Sequence, residues 1–579
     1  MRLSRIVIKN FRRIEEAGIR LANSTFLIGQ NNCGKSSVIR CLELLLSNQP
    51  MESGDFRRDT EGNSCETVEL TGFFASIAPE VANSRGFRGR VVNGEYCYRK
   101  TYSLTNPGKP RIECLEYPYS VREEFRAART GADLEALGID AERVAEVVKA
   151  NGGLKPNWER ELLDLVADFD TDAEPAWVEN PGGFSSVVVS RLPRLIHVPP
   201  LTRQADVGEG QGKSLIGEVL GILFEDLLQD NATATAVQEG LTALQAQMSP
   251  AEEGSLINLL CRDVNGIIGS VFPGCGIRVN PSLQELCDVL KPRYQISLYS
   301  NIATDVARQG TGLLRTAVFS MFRYHTRLHE ERELHTRPLL VAFEEPEIYL
   351  HPAAANLLRD TIYALGRSDQ IVCTTHSPWM IDLSQELQSL TKMVLRENGA
   401  LTAVNYGVSA ELARLQGDDK TRVKMLQVFD DELSRVFFAE RVVVVEGDSE
   451  MVALKQTIRL LPEEQRKQVL ARTQIVKARG KAAIISLVKY LRALAIEPFV
   501  IHDRDQGTAG AEVFNQPIAD AVGDPARVVQ LYECLEHVLG YQPPTADKPY
   551  RVFAEASGWA DWEAVPAGWR EVVVRAVGV

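Results

Sequence analysis

A run of valines, Val442 to Val445, stops at Glu446-Gly447-Asp448-Ser449-Glu450, and a second apolar run, Pro498-Phe499-Val500-Ile501, stops at His502-Asp503-Arg504-Asp505. Short β-rich runs of this kind read as buried strands, so the chain twice ends a strand in clustered carboxylates. Glu446 and Glu450 are four apart across a strand-to-helix turn and share a crevice if Glu450 lies in the first helical turn. Asp503 and Asp505 are two apart on extended chain, so both side chains can project to one side. Crevices at the carboxyl ends of strands are the usual ligand sites of an open parallel sheet. Four acids in one crevice repel unless cations are bound, and hard divalent cations such as Mg²⁺ or Mn²⁺ take oxygen ligands. Two such metals ~3.5–4 Å apart can activate water and stabilise the leaving oxygen of a phosphodiester.

A second constellation lies upstream. Gly29-Gln30-Asn31-Asn32-Cys33-Gly34-Lys35-Ser36 fits the eight-residue phosphate-loop pattern, follows the apolar run Thr25-Phe26-Leu27-Ile28 and opens a helix pattern from Lys35 to Leu46. That strand–loop–helix context is what the motif requires. The glycines let backbone N–H groups face phosphates, Lys35 reaches the β- and γ-phosphates, and Ser36 ligates Mg²⁺. Gly29, Asn32, Gly34, Lys35, Ser36 and Ser37 are the candidate ATP-binding loop. Some three hundred residues on, Leu339-Leu340-Val341-Ala342-Phe343 ends in Glu344-Glu345-Pro346-Glu347, and Ile371-Val372-Cys373-Thr374-Thr375 ends in His376-Ser377-Pro378. An acid at a strand end beside a phosphate loop holds the Mg²⁺ shell, and the next acid can polarise the attacking water.

These motifs together resemble an ABC-type ATPase head of the SMC/RecF-like branch. Lys9-Asn10-Phe11-Arg12 is similar to the opening of that branch, and Thr311-Gly312, within Gln309-Gly310-Thr311-Gly312-Leu313-Leu314-Arg315, is similar to the Ser-Gly of its signature motif. The resemblance implies that Glu344 serves the nucleotide metal, Glu345 is the catalytic carboxylate and His376 the switch histidine. It also implies a homodimer or higher oligomer, because one head's signature completes another head's ATP site. Glu344 stands where aspartate is usual, and Leu313-Leu314 replace the Gly-Gln of transporter signatures, a departure that points to slow hydrolysis.

A strand ending in Glu-Gly-x-x-Glu followed by a strand ending in Asp-x-Asp resembles the Toprim fold. An ABC head followed by Toprim resembles the OLD (overcoming lysogenization defect) family of nucleases, to which the nuclease subunit of Gabija-type anti-phage systems belongs. That resemblance covers nearly the whole chain. It implies a DNA endonuclease under ATP control, with Glu446, Glu450, Asp503 and Asp505 as metal ligands and Glu446, Asp503 and Asp505 in the catalytic centre. It further implies an acid and a lysine beyond the Asp-x-Asp. Glu536 is the candidate to complete the second metal site, and Lys548 to neutralise charge on the pentavalent phosphate. Ser449 and Gly480-Lys481 are weaker candidates for phosphate contact. Gabija membership would add a UvrD-like helicase as partner.

The elements that must position these groups follow from patterning. Residues 66–117 alternate as antiparallel strands. Residues 119–183 are charged and expected to be helical, interrupted by Asn151-Gly152-Gly153 and Asn180-Pro181-Gly182-Gly183. Leu195-Ile196-His197-Val198 is a further buried-type strand. Residues 212–270 are amphipathic with helical spacing, a candidate dimerisation segment or an ordinary core-facing helix pair. The expected organisation is an α/β chain. Residues 1–211 form the first part of an ABC-type head, 212–270 a helical insertion, 271–430 the second part of the head, and 436–579 a Toprim α/β domain. At 579 residues, 45% hydrophobic and 24% charged, the composition is that of a globular protein of several domains. No stretch approaches the ~18 consecutive apolar residues of a membrane span, and ten scattered cysteines without a Cys-x-x-Cys pair suggest a reduced, cytoplasmic protein. The net charge of −13 argues against a nonspecific nucleic-acid coat but leaves room for a local basic surface.

A non-cleaving DNA-repair or DNA-bridging ATPase of RecF/SMC type is the other reading. It predicts ATP-dependent DNA binding without strand breaks. The full acid set at both strand ends speaks against it, as does the absence of sustained heptads between the head motifs.

Overall fold

The computed structural model describes residues 1–200, 215–228, 297–299, 303–305, 317–325 and 338–579, less scattered positions within these spans and with isolated positions between them. The chain forms two compact units, Met1–Pro200 with Arg337–Ile348 and Ala355–Val579, and Leu201–Thr336 with Tyr349–Ala354. In the second unit the described part includes a 14-residue apolar helix, Leu215–Leu228. Among the described residues no helix is long and apolar enough to cross a membrane.

The first unit contains a twelve-stranded sheet built from β1 (Arg2–Phe11), β2 (Ile14–Arg20), β3 (Ser24–Ile28), β4 (Thr67–Ala75), β5 (Tyr96–Ser103), β6 (Asn106–Glu116), β7 (Ala176–Glu179), β8 (Arg194–Val198), β9 (Leu339–Glu344), β10 (Gln370–Thr374), β11 (Gln388–Leu395) and β12 (Leu401–Tyr406). Their order is β8-β9-β10-β3-β11-β12-β2-β1-β4-β5-β6-β7. From β8 to β11 every pairing is parallel. Strands buried on both faces read as unbroken apolar runs, and β3 and β9 do so: Phe26, Leu27 and Ile28, and Leu339 to Phe343, are all buried. From β2 to β7 the pairings are antiparallel, and β4 shows the alternating burial of a sheet with one covered face. Helix α1 (Lys35–Leu46) packs its buried face, Val38, Leu42, Leu45 and Leu46, into the core beneath this sheet.

Residues 119–183, expected to be helical, mix the two structures. Short helices at Gly131–Ala136 and Ala141–Val147 surround a small separate core of Phe125, Leu134, Trp158 and Leu162. Before and after them in sequence, Tyr119–Val121 and Ala167–Phe169 pair with each other, and β7 continues the main sheet along β6. Glycines at 138, 152 and 153 cut the helices short. The Ala176-Trp177-Val178-Glu179 run finds an open sheet edge, and edge pairing outweighs weak helical propensity there.

Helix α2 (Gly417–Phe429) leads into the C-terminal fold, whose four parallel strands β13 (Arg441–Val445), β14 (Thr473–Lys477), β15 (Phe499–Asp503) and β16 (Val528–Leu531) lie in the order β14-β13-β15-β16. Helices α3 (Asp448–Leu460), α4 (Lys481–Ala493), α5 (Leu535–Val538), α6 (Lys548–Ser557) and α7 (Ala567–Val577) belong to it, as do the helices Glu463–Arg472, Ala509–Glu512 and Asn515–Val522. Trp569 is fully buried and donates its indole N–H to Thr457 Oγ1 at 2.9 Å, while Trp559 and Trp562 pack partly buried against the same core. All three tryptophans near the C-terminus are thus packing residues.

Candidate nucleotide and metal sites

In the large sheet the register aligns Val198 with Phe343, Phe343 with Cys373, and Thr374 with Leu27. The carboxyl ends of β8, β9, β10 and β3 therefore meet at one edge, where the phosphate loop leaves β3. Gly29 (φ 144°) and Gly34 (φ 87°) occupy backbone conformations that suit glycine. A Cβ on Gly29 would lie 2.5 Å from Cys33 Sγ, and one on Gly34 2.7 Å from Leu401 Cδ1. Asn32 sits at φ 62°, a conformation asparagine tolerates better than most residues.

Lys35 is buried, and its ammonium donates to Gly29 O and Gln30 O, each at 3.1 Å, and to His376 Nε2 at 2.7 Å. The same imidazole nitrogen lies 3.3 Å from Glu345 Oε1. Burial, and then the Lys35 ammonium, hold the imidazole below its usual value against the pull of Glu345, so His376 accepts from Lys35 as a neutral ring. Glu345 has φ 43°, and its N–H is shared by Thr374 O at 3.0 Å and Thr374 Oγ1 at 3.1 Å. Ser36 is exposed at the mouth of the loop, and Ser37 accepts from Arg12 Nη1 at 3.4 Å. Thr311 and Gly312 lie outside the described residues.

Two partners escaped the sequence reading. His197, at the end of β8, places Nε2 3.8 Å from Glu344 Oε1 and Nδ1 2.6 Å from Glu43 Oε1, which in turn pairs with Arg40 at 2.9 Å. Glu344 is thereby linked to α1. Glu347 accepts from Thr375 Oγ1 at 2.5 Å and from the His376 N–H at 3.2 Å, which holds the histidine turn in place. Burial pushes its carboxyl up. Neither residue belongs to the motif spacing, so only tertiary contact reveals them.

The C-terminal sheet repeats the arrangement on a smaller scale. Val445 is aligned with Ile501 and with Lys477, and Asp503 with Leu531, so Glu446, Asp503 and the turn into α5 share one edge. Glu450 lies in the first turn of α3 and is buried. Asp503 accepts from the Leu535 N–H at 3.0 Å, and its own N–H faces Glu446 Oε2 at 3.4 Å. Burial, reinforced by Glu450, Glu446, Asp505 and Glu536, pushes the Asp503 carboxyl up to about 8. Burial and Glu450 raise Glu446 to about 7, with Lys481 opposing. Burial raises Glu450 too, with Glu536 adding to the shift and Lys548 pulling against it. Glu536 is buried and its Oε1 has no hydrogen-bond partner. Five carboxylates therefore meet at a single crevice, with Lys481 acting on Glu446 and Lys548 on Glu450. His502 is buried, and burial lowers it to about 4, which leaves it neutral.

The donors are all oxygens, they repel one another, and one buried oxygen is orphaned. This set fits a hard divalent cation. The ligands are not yet gathered: among the described residues no three acidic, imidazole or thiol groups stand together as a ready-made chelate. Three contacts account for this. Glu450 Oε2 turns back to accept the Gly447 N–H at 2.8 Å, Asp503 Oδ1 is held by Leu535, and Asp505 Oδ2 is held by Lys481 at 2.7 Å. Asp505, at φ 50°, is fixed through its own N–H to Glu533 O at 2.9 Å. Lys481, nearly fully buried, also donates to Asn515 Oδ1 at 3.0 Å. Its intimate pairing with the Asp-x-Asp was not anticipated from spacing.

A consequence is measurable. Metal ligands must be deprotonated, and Asp503 near 8 and Glu446 near 7 are partly protonated at pH 7. Calorimetric titration with Mg²⁺ at pH 7, in buffers of different ionisation enthalpy, is expected to show release of about one proton, falling toward none by pH ~9. The folded-state values lie above the unfolded ones, so the metal-free fold holds extra protons between about pH 4 and 8. Its stability therefore falls as pH rises through that window. A melting temperature that instead rises from pH 5 to 8 without metal would contradict the coupled acid cluster.

The family model for the AAA ATPase domain matches residues 1–381. The chain belongs to that family. Residues 437–505 match the TOPRIM domain of proteins like the overcoming lysogenization defect protein, so the ATPase domain is followed by a TOPRIM domain, as the acid-tipped strands suggested. Relatives with this span include the Old nuclease of Escherichia phage P2, 22% identical over 87% of this chain and 77% of that protein. The OLD nuclease of Thermus scotoductus is 23% identical over 95% of this chain and 94% of its own length. Endonuclease GajA of Bacillus cereus is 21% identical over 79% of this chain and 68% of its own length. The ATPase match contains the Lys35–His376–Glu345 cluster, and the TOPRIM match contains Glu446, Glu450, Asp503 and Asp505, while Glu536 lies beyond its end.

Proposed function

We propose that the chain is a divalent-metal-dependent DNA endonuclease of the OLD type, acting in anti-phage defence, in which the ATPase domain governs cleavage by the TOPRIM domain. The observation that carries this reading is the convergence of Glu446, Glu450, Asp503, Asp505 and Glu536 beside Lys548, with burial and mutual repulsion raising Asp503 and Glu446 into the neutral range. A structural role gives no reason to bury so many like charges together, because each raised carboxyl destabilises the metal-free fold above pH ~4.

Glu446, Glu450, Asp503, Asp505 and Glu536 would hold one or two cations such as Mg²⁺ or Mn²⁺. A cation held there would supply positive charge to the phosphodiester and would acidify water for in-line attack. Lys548, exposed at the start of α6, offers a positive charge to the phosphate as negative charge develops on it. Asp505 must exchange Lys481 for its ligand role, and Glu450 must leave the Gly447 N–H. In the ATPase domain, Lys35 would trade Gly29 O, Gln30 O and His376 for the phosphates of ATP. His376 and Glu345 would then be free to orient water at the γ-phosphate. The likeness to ABC-type heads extends this reading to a homodimer, with Thr311-Gly312 supplied across the pair.

The test is nicking of supercoiled plasmid by the full chain with Mg²⁺ or Mn²⁺, with and without ATP. Metal-dependent strand breaks are expected. ATP-dependent DNA retention without breaks under every condition would replace the nuclease with a non-cleaving DNA-bridging ATPase.

A further inference from the structure

Beside the acid crevice lies a cavity of about 410 Å³ whose lining is basic and apolar, within the ~300–1,000 Å³ of small-ligand sites. Arg422 and Met425 reach it from α2, Arg479 and Lys481 from the start of α4, and Phe514 from the segment after β15, while Glu446 lies at the margin it shares with the metal site. The two walls are pinned to each other. Asp419 of α2 accepts from Ser486 Oγ at 2.7 Å and from Lys489 Nζ at 2.7 Å on α4, and Ser486 is fully buried. Lys481 joins the two compartments, because its ammonium is 2.7 Å from Asp505 Oδ2 and acts on Glu446 as well.

In a chain with a net charge of −13, the lining of this cavity holds three cations and a single acid, Glu446. Cations recognise backbone phosphate, and an apolar wall takes a sugar edge or base face. The cavity is about the size of one nucleotide. We infer that it binds one nucleotide of the DNA strand adjoining the scissile phosphodiester, with the phosphate on Arg422 and Arg479 and the sugar and base against Met425 and Phe514. The inference rests on the nuclease reading and adds to it a substrate subsite. Because Arg422 and Met425 come from the helix that connects the ATPase domain to the TOPRIM domain, strand binding and the connecting helix are one structure. DNA is favoured over a free mononucleotide because the cavity adjoins the cleavage centre through Lys481.

The experiment measures binding of a fluorescein-labelled single-stranded dodecamer to the full chain by anisotropy, without divalent metal so that no cleavage occurs. Arg422→Glu is expected to raise Kd by about tenfold, Arg422→Lys to retain most of the affinity, and the salt dependence to fall by about one phosphate contact in Arg422→Glu. Arg422 is partly exposed, pairs with Asp418 at 3.3 Å on its own helix and also acts on Asp419, so Arg422→Gln, which removes the charge without setting a carboxylate beside those two acids, is measured alongside and is expected to raise Kd as well; equal melting temperatures verify that each variant folds. An unchanged Kd for Arg422→Glu overturns the subsite. A second arm titrates dAMP into Lys35→Ala protein. Binding of dAMP that Arg422→Glu abolishes, with DNA affinity unchanged, would make the cavity a mononucleotide site and likewise overturn the inference. Failure of the nuclease reading shows separately, as plasmid left intact by the parent protein with metal while the Kd effect of Arg422→Glu persists.

Discussion

Asp503→Asn should lower metal-dependent strand cleavage by roughly 10³-fold or more while leaving ATP binding unchanged. Asparagine keeps the oxygen that accepts the Leu535 N–H, so the turn into α5 survives. What disappears is the carboxyl that burial, reinforced by four neighbouring acids, pushes up to about 8. The same substitution should therefore stabilise the metal-free TOPRIM domain at pH 8, because a repelling carboxylate has become neutral. It should also weaken the stabilisation that Mg²⁺ confers. Loss of cleavage with a gain in metal-free melting temperature is a pair of results that a packing defect cannot produce. Cleavage at the parental rate would remove Asp503 from the centre.

Lys35→Ala should weaken ATP binding by roughly two orders of magnitude, since a point charge aimed at the phosphates is lost. Lys35 is also the proton donor that His376 Nε2 accepts from, at 2.7 Å. Without the ammonium one of the influences that lowers the imidazole is gone, so the ring should titrate at higher pH than in the parent, with burial still holding it down. Nucleotide affinity by fluorescent-ATP displacement and the His376 ring by NMR give two independent readings. Mg²⁺ binding in the TOPRIM domain should be unaffected. Unchanged ATP affinity would remove Lys35 from the nucleotide site.

The parts legible in the sequence were those where local pattern and chemistry coincide. Lys35 to Leu46 reads as a helix and is one, and the valine run at 442–445 and the run before Asp503 are parallel strands with acids at their carboxyl ends. The sharing of a crevice by Glu446 and Glu450 required Glu450 to lie in the first helical turn, and the helix begins at Asp448. Contacts across hundreds of residues were not legible. His197 reaches Glu344 only because β8 and β9 pair in parallel after a long excursion, and Glu347 braces His376 from the next strand. Lys481 pairs with Asp505 across the α4 N-terminus, a contact no spacing rule encodes. Residues 119–183 misled because short charged stretches look helical until a sheet edge is available to them.

Two acids of the candidate sites, Glu345 at φ 43° and Asp505 at φ 50°, sit on left-handed backbone where a side chain costs about 1 kcal/mol relative to glycine. At Glu345 a population of this chain evolved only for heat resistance would therefore drift toward glycine, and it would lose a carboxylate from the nucleotide site in doing so. At Asp505 the same exchange would strip the buried Lys481 ammonium of its carboxylate partner, which costs more than the strain it relieves. Stability selection and activity selection thus pull in opposite directions at Glu345 and together at Asp505, and consensus-based thermostabilisation of this chain should leave both untouched.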